Sequence, residues 1–94
     1  MNDIIFEWDE EKNIKNKSKH GIDFETAMLI WGDANRIERY DYKHSENEDR
    51  YISIGRVKEI LFVVHTDRGD AIRIISARCA TKAEREEYYG QNCY

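Results

Sequence analysis

The stretch ILFVVHTDRGDAIRIISARC, residues 60–79, decides the fold class of this chain. It contains two apolar segments, residues 60–66 and 71–79, which are rich in β-branched side chains and are typical of strands buried on both faces. The DRGD sequence between them contains Gly69, and so short a connection joins antiparallel neighbours. The stretch therefore predicts two adjacent strands at the centre of a sheet.

Two more strands are predicted upstream, where polar and apolar residues alternate with a period of two. They are RIERYDYK, residues 36–43, and RYISIG, residues 50–55, joined by HSENED and followed by the short link RVKE. The first of them is highly charged and is expected at an edge of the sheet. Together the four segments predict a four-stranded antiparallel sheet.

Two helices are predicted before the sheet. Asp9 can cap a helix that runs to about His20, where Gly21 supplies a left-handed stop. Asp23 can cap the second helix, FETAMLIW, whose apolar side chains recur at helical spacing and are expected in the core: Phe24, Ala27, Met28 and Trp31.

A C-terminal helix is predicted by the capping box TKAE, Thr81–Glu84, with its end near Tyr89 because Gly90 follows. An extended segment, IIFEW at residues 4–8, precedes the other elements. A chain of 94 residues suits one domain, residues 1–94. The predicted fold class is therefore α+β, with two N-terminal helices, a four-stranded antiparallel sheet and a C-terminal helix.

The composition excludes several classes of protein. Hydrophobic residues at 40% and aromatic residues at 12% are typical of a folded chain rather than a disordered one. No apolar run approaches the roughly 20 residues that a membrane crossing needs. The first residues also lack the pattern of a secretory signal, in which a basic segment precedes an apolar one. A cytoplasmic protein without membrane association is expected, with Cys79 and Cys93 as reduced thiols.

The charge is distributed unevenly along the chain. The net charge is −4, but residues 1–49 carry 13 acidic and 7 basic side chains, whereas residues 50–94 carry 6 acidic and 8 basic ones. Six of those 8 are arginines, which bind phosphate or carboxylate through two parallel hydrogen bonds. An anionic partner is therefore expected to meet the C-terminal half.

Positive side chains share one side of the first predicted helix. Lys12, Lys15 and Lys19 recur at i, i+3 and i+7. Trp8 lies one turn earlier on the same side, and His20 ends the helix. The helix is either a solvated one whose charges complement its dipole, or one that brings positive charge and an imidazole to a site.

Two arginines occupy unexpected positions in the last strand. Arg73 and Arg78 belong to a segment predicted to be buried, where an unpaired guanidinium is costly. They are five positions apart and point to opposite faces unless a β-bulge intervenes. Each of them either pairs with a carboxylate or binds phosphate in a concave surface, and the available carboxylates are Asp49, Glu84 and Glu87.

Further basic residues follow in the last helix. Lys82 and Arg85 lie one helical turn apart, with Tyr88 and Tyr89 beyond them. Such a pattern can bind a nucleic-acid backbone and stack bases, although tyrosines that merely cover a sheet are commoner.

No metal site is predicted. His65 with Asp67, and His44 with Glu46, have a spacing that could hold a metal ion, but neither pair is accompanied by further ligands at diagnostic spacing.

Three motifs taken together resemble the BrnT family of type II toxins, relatives of the RelE-like ribonucleases. They are W-D-x-x-K before K-H-G, the strand R-Y-I-S-I-G, and I-R-I-I-S-A-R running into T-K-x-E-R. The resemblance covers nearly the whole chain apart from residues 33–43 and the last five. The link IGRVKEIL is tighter than the glycine-containing turn of relatives, and Cys79 stands where relatives often carry a basic residue.

The resemblance implies a RelE-like fold and a metal-independent endoribonuclease that acts on RNA in translation, either free or on the ribosome. It implies a BrnA-like antitoxin with a ribbon-helix-helix domain, through which the complex binds operator DNA and represses its own operon. The family's motif positions in this chain are Trp8, Lys12, Lys19, His20, Arg50, Arg73 and Arg78.

A division of roles follows from this resemblance. RNA supplies its own nucleophile, the 2′-hydroxyl, so the enzyme has to align it, neutralise the phosphorane and move protons. The catalytic residues expected are His20, Arg50, Arg73 and Arg78; the RNA-binding residues expected are Trp8, Lys12, Lys19, Lys82 and Arg85. The alternative is a non-enzymatic module that binds a basic transcriptional regulator through its acidic half.

Overall fold

The computed structural model describes residues 3–92, which form a five-stranded mixed sheet and three α-helices. The strands are β1 (Ile5–Glu7), β2 (Ile37–Tyr40), β3 (Arg50–Arg56), β4 (Ile60–Arg68) and β5 (Ala71–Cys79). The helices are α1 (Glu10–His20), α2 (Phe24–Ala27) and α3 (Lys82–Asn92), with 3-10 helices at Met28–Gly32 and Tyr42–His44. The α+β class is confirmed.

The predicted four-stranded antiparallel sheet is wrong in one respect. The spatial order is β1-β5-β4-β3-β2, and β1 pairs in parallel with β5, whereas the other pairs are antiparallel. The short extended segment at the N-terminus therefore becomes an edge strand. Its partner is more than sixty residues away, and three residues carry no sequence signal for so distant a pairing.

The predicted order within the antiparallel part is confirmed. β4 is central with β5 and β3 beside it, and the charged β2 lies at an edge. β2 is shorter than predicted, because the chain turns into the 3-10 helix at Tyr42–His44. β4 extends to Arg68, so only two residues connect it to β5.

Helix α1 is held mainly by polar side chains. The Asp9 carboxylate accepts hydrogen bonds from the amides of Glu11 and Lys12, and Gly21 ends the helix with a φ of 75°. Ile14 is exposed, whereas Asn13 and Asn16 are buried. The helix lies on the surface, and its buried anchors include two asparagines that hydrophobic periodicity does not detect.

Asn16 pairs with the edge of β5 that β1 leaves uncovered. Its Nδ2 donates to the Ala77 carbonyl at 2.7 Å, and its Oδ1 accepts from the Ala77 amide at 3.1 Å. One side chain therefore replaces a strand at this position and fixes α1 beside β5.

The second predicted helix is an α-helix for one turn only. Asp23 caps it, and it continues as the 3-10 helix. The residues with no exposed surface are Phe24, Ala27 and Ile30, whereas Met28 and Trp31 are only partly buried. The spacing of three reflects the 3-10 geometry, in which residues i and i+3 lie one above the other.

The sheet has two differently covered faces. The α2 face includes Leu61, Val63, Ile74 and Ala77, which pack with Phe24, Ala27 and Ile30. The α3 face includes Ile52, Ile54 and Ile60, which pack with Ala80 and Tyr88.

Helix α3 begins as predicted but ends later. The Thr81 amide donates to Glu84 and the Thr81 hydroxyl accepts from the Glu84 amide, which completes the capping box. The helix runs through Gly90 to Asn92 instead of stopping near Tyr89. No helix in the described part of the chain has the length and apolar character that a bilayer crossing requires. Cys79 is a free thiol, and Cys93 lies outside the described residues.

Candidate functional site

A β-bulge brings the two arginines of β5 to one face of the sheet. The β4–β5 register shifts between Val64 and His65, so that Phe62 opposes Arg78 and Thr66 opposes Arg73. Residues that oppose one another in a ladder point to the same face, and even-numbered residues of β4 belong to the α3 face. Arg73 and Arg78 therefore share the α3 face, because the bulge adds one residue between them.

Arg50 joins them from the neighbouring strand. Arg50 opposes Thr66 in the β3–β4 ladder, and Thr66 opposes Arg73 in the next. Arg50 and Arg73 are thus two strands apart, roughly 10 Å between Cα atoms at ordinary strand spacing. Arg78 lies roughly 15 Å along β5 from Arg73 at the ordinary rise per residue.

Arg78 is the most firmly paired of these arginines. Its Nη1 and Nη2 donate to the two carboxylate oxygens of Glu84 at 2.7 and 2.9 Å, and its guanidinium lies 4.0 Å from the centre of the Phe62 ring. The hydrogen bond to Glu84 raises the pKa of Arg78. Burial alone would raise the pKa of Glu84, but hydrogen bonds from Arg78 and from the Thr81 amide lower it.

Arg73 and Arg50 are held by fewer contacts. Arg73 donates to Glu7 of β1 at 2.9 Å. Arg50 reaches Glu48 only at 3.5 Å, and its Nε is buried with no hydrogen-bond partner among the described residues. Of the three guanidinium groups, that of Arg50 is consequently held most weakly by hydrogen bonds to carboxylates.

The basic side chains of α3 lie beyond Arg78. Lys82 is exposed, and Arg85 is exposed with its Nη1 donating to the Ala80 carbonyl at 2.9 Å. Arg85 lines a cavity of about 340 Å³ together with Arg56, Tyr89 and Cys79. The Cys79 thiol donates to Glu59 at 2.9 Å, and this bond is the main cause of a raised pKa. Cys79 is therefore a poor nucleophile.

The candidates from the N-terminal segment are not joined to the arginines. Lys12, Lys19 and His20 are exposed on α1, and no described contact links them to Arg50, Arg73 or Arg78. Trp8 packs edge-on against Phe24 with ring centres 6.1 Å apart, and its Nε1 donates to Glu10. The geometry explains Trp8 as a side chain that covers the α2-face core.

One polar pair beside Arg50 was missed by sequence reasoning. Asp41, which is 7% exposed, lies with its two carboxylate oxygens 3.0 and 3.2 Å from His44 Nδ1. His44 and Arg50 line two adjoining cavities of about 260 and 190 Å³, and the smaller one also contains Ser76 of β5. The i, i+3 spacing of Asp41 and His44 was the available signal, but a strand was predicted there.

The third histidine belongs to the interior. His65 is 2% exposed, lies 2.8 Å from the Ser53 hydroxyl through Nε2, and contacts Trp31 edge-on. Burial first, and then the charge of Arg36, lower its pKa to about 4. Among residues 3–92, no group of three or more His, Cys, Asp and Glu side chains has an arrangement that could hold a metal ion.

The fold and the α3 face define a class of protein: a small α+β protein whose bulged sheet presents arginines on a partly open surface. A model of the family described as the ribonuclease toxin BrnT of type II toxin–antitoxin systems matches residues 8–84. Because that match covers most of the chain, the chain belongs to the BrnT ribonuclease toxin family.

A solved structure supports this assignment. The chain is similar to the Brucella abortus ribonuclease toxin BrnT, with 25% sequence identity and a TM-score of 0.63. The comparison covers 85% of this chain and 100% of the Brucella chain. No curated protein matches the chain.

Proposed function

We propose that this protein is an endoribonuclease toxin that cuts RNA through the 2′-hydroxyl, without a metal ion, on its α3 face. The observation that supports this is the bulge in β5, which gives Arg50, Arg73 and Arg78 a common side of the sheet. Arginine is suited to phosphate because its planar fork donates two parallel hydrogen bonds. Family membership supports ribonuclease chemistry.

The spacing of the arginines divides the proposed site into two parts. Arg50 and Arg73 are near enough to engage one phosphodiester, whereas Arg78, with Lys82 and Arg85, holds a phosphate further along the strand. Binding requires phosphate oxygens to replace the carboxylates of Glu7 and Glu84, which accept hydrogen bonds from Arg73 and Arg78. Lys12, Lys19, Trp8 and His20 keep their expected roles as predictions from sequence alone.

The partner proposed is a BrnA-like antitoxin with a ribbon-helix-helix domain, acting with this protein in the cytoplasm. Membership of a type II toxin family supports an antitoxin. The acidic first half of the chain, with 13 acidic and 7 basic side chains, complements a basic DNA-binding partner. Operator binding and repression of the operon then belong to the complex and depend on the antitoxin.

Purified protein incubated with total bacterial RNA in EDTA tests the reaction. We expect fragments that carry 2′,3′-cyclic phosphate ends, detected by end-labelling that succeeds only after the phosphate is removed. Arg73→Ala should lower the cleavage rate about 100-fold or more, since the loss of one group that stabilises transition-state charge costs about 2.7 to 4 kcal/mol in barrier height. Arg78→Ala removes only a contact with a neighbouring phosphate, so it should lower the rate about 10-fold or more when RNA is below saturation. A parallel reaction with translating ribosomes and a defined mRNA shows whether the ribosome is needed.

Three results would contradict parts of this proposal. RNA that stays intact in both reactions would favour the non-enzymatic partner module. Cleavage of free RNA that requires added magnesium would refute metal independence. Full activity in folded Arg73→Ala and Arg78→Ala variants would place the active site elsewhere.

A further inference from the structure

The cleft beside Arg50 contains a histidine that a buried carboxylate holds in a fixed orientation. Asp41 directly follows β2, and its amide donates to the Arg50 carbonyl at 2.8 Å, which extends the β2–β3 pairing by one residue. The next three residues form a 3-10 turn that returns His44 to the same side as Asp41. Asp41 and His44 are therefore adjacent because of the turn, and Arg50 is adjacent because of the ladder.

The contact with Asp41 fixes which nitrogen of His44 can react. An ionised carboxylate can only accept, so Nδ1 donates to the carboxylate of the buried Asp41 and Nε2 is left as the acceptor. The His44 side chain is 59% exposed, and it forms part of the wall of both cavities. An oriented imidazole open to a cleft is the arrangement expected of a general base.

The cleft also has an arginine with unused hydrogen-bonding capacity. Arg50 lines both cavities, its Nε has no acceptor among the described residues, and its carboxylate partner is 3.5 Å away. Ser76 adds a hydroxyl, and Val64 and Ile75 form an apolar wall in the smaller cavity. The cleft thus combines a base with a cation suited to phosphate.

We infer that His44 is the general base of the RNA cleavage reaction, that Asp41 is its positioning residue, and that the scissile phosphate binds at Arg50. This inference rests on the proposed function. His44 Nε2 takes the proton of the 2′-hydroxyl while the 2′-oxygen bonds to phosphorus. The bond from phosphorus to the 5′-oxygen breaks, water protonates the leaving oxygen, and His44 returns its proton to solvent.

Variants of the dyad test this assignment in the same EDTA reaction. His44→Ala should lower the cleavage rate about 100-fold or more, the usual contribution of general base catalysis. Added imidazole should restore part of the rate of His44→Ala but none of the rate of Arg50→Ala. Asp41→Asn alone should lower the cleavage rate less than His44→Ala does. Added to His44→Ala, it should lower the rate no further.

Tyr42→Phe is the matched control, because Tyr42 is exposed on the same turn and lines neither cavity. It should cleave at the wild-type rate. If His44→Ala retains the wild-type rate, or loses activity that imidazole does not restore while its melting temperature is unchanged, the assignment of His44 fails and the proposed function stands. If wild-type protein leaves RNA intact both in the EDTA reaction and with translating ribosomes, both proposals fail.

Discussion

The guanidinium groups on the α3 face differ in how strongly carboxylates hold them. Arg78 forms a bidentate pair with Glu84, Arg73 forms a single hydrogen bond with Glu7, and Arg50 has a contact of 3.5 Å. Sequence reasoning could name Glu84 as a partner because the two residues are six positions apart. It could not name Glu7, because that contact depends on the parallel pairing of β1.

His65 gives a prediction about acid stability. Its pKa is about 4 in the folded protein and about 6.5 in the unfolded chain, so the unfolded chain binds the proton first as the pH falls. The folded state should lose roughly 3 kcal/mol of stability through this group between pH 6.5 and pH 4. Urea denaturation over this range measures the loss.

The His65→Gln variant isolates that contribution. Glutamine retains a hydrogen-bonding group toward Ser53 and does not titrate. The titration of carboxylates changes the stability of both proteins in the same way. The stability of the variant should therefore fall less steeply than that of the wild type between pH 6.5 and pH 4. Parallel curves would show that His65 is not buried in its neutral form.

At the scale of elements, the decisive features are a bulge and a side chain that replaces a strand. The caps at Asp9, Asp23 and Thr81 could be predicted because each depends on neighbours within three residues. The sequence could not show whether β5 has a bulge opposite Val64 and His65, because the sequence of β5 fits either register. It therefore left open whether Arg73 and Arg78 share a face. The hydrogen bonds of Asn16 to β5 could not be predicted, because its partner Ala77 is 61 positions away in the sequence.

The contact between β3 and the 3-10 helix gives a prediction about packing. A Cβ atom added at Gly55 would lie 2.8 Å from Ile30 Cβ, closer than such atoms approach. Gly55→Ala should therefore destabilise the protein by about 1 to 3 kcal/mol, the usual cost of overpacking a core. The midpoint of urea denaturation measures the change.

Gly32→Ala is the matched control at the end of the same 3-10 helix. A Cβ atom added there meets nothing within 4 Å, so the midpoint should stay close to that of the wild type. Equal midpoints for the Gly55 and Gly32 variants would contradict the close approach of β3 to Ile30.

At the scale of the whole molecule, the fold separates tasks between two faces of one sheet. The α2 face is sealed by Phe24, Ala27 and Ile30, whereas the α3 face is covered by α3 only in part and leaves Arg50 and Ser76 beside a cavity. The excess of basic residues in the second half predicts that an anion meets that half, and this stays a prediction. The grouping of those residues could not be predicted, because it requires the order of the strands and the bulge.

The same separation limits what the N-terminal motif can do. The sequence placed Lys12, Lys19 and His20 on one helix, and α1 is formed as expected. Its anchor through Asn16 fixes it at the edge of β5, and no described contact brings these side chains to the arginines. The RNA-binding surface that we propose is therefore the α3 face, and the roles of these α1 side chains stay predictions from sequence.

The salt dependence of RNA binding, measured with a single-stranded RNA for the wild type and for arginine variants, tests directly whether the α3 face binds RNA. The logarithm of affinity should fall linearly with the logarithm of salt concentration, and each lost phosphate contact should reduce the slope by about 0.7. We predict that reduction for Arg50→Ala, Arg73→Ala and Arg78→Ala, and an unchanged slope for the exposed Lys58→Ala at the β3–β4 turn. Slopes for the three arginine variants equal to that of the wild type would contradict RNA binding on the α3 face.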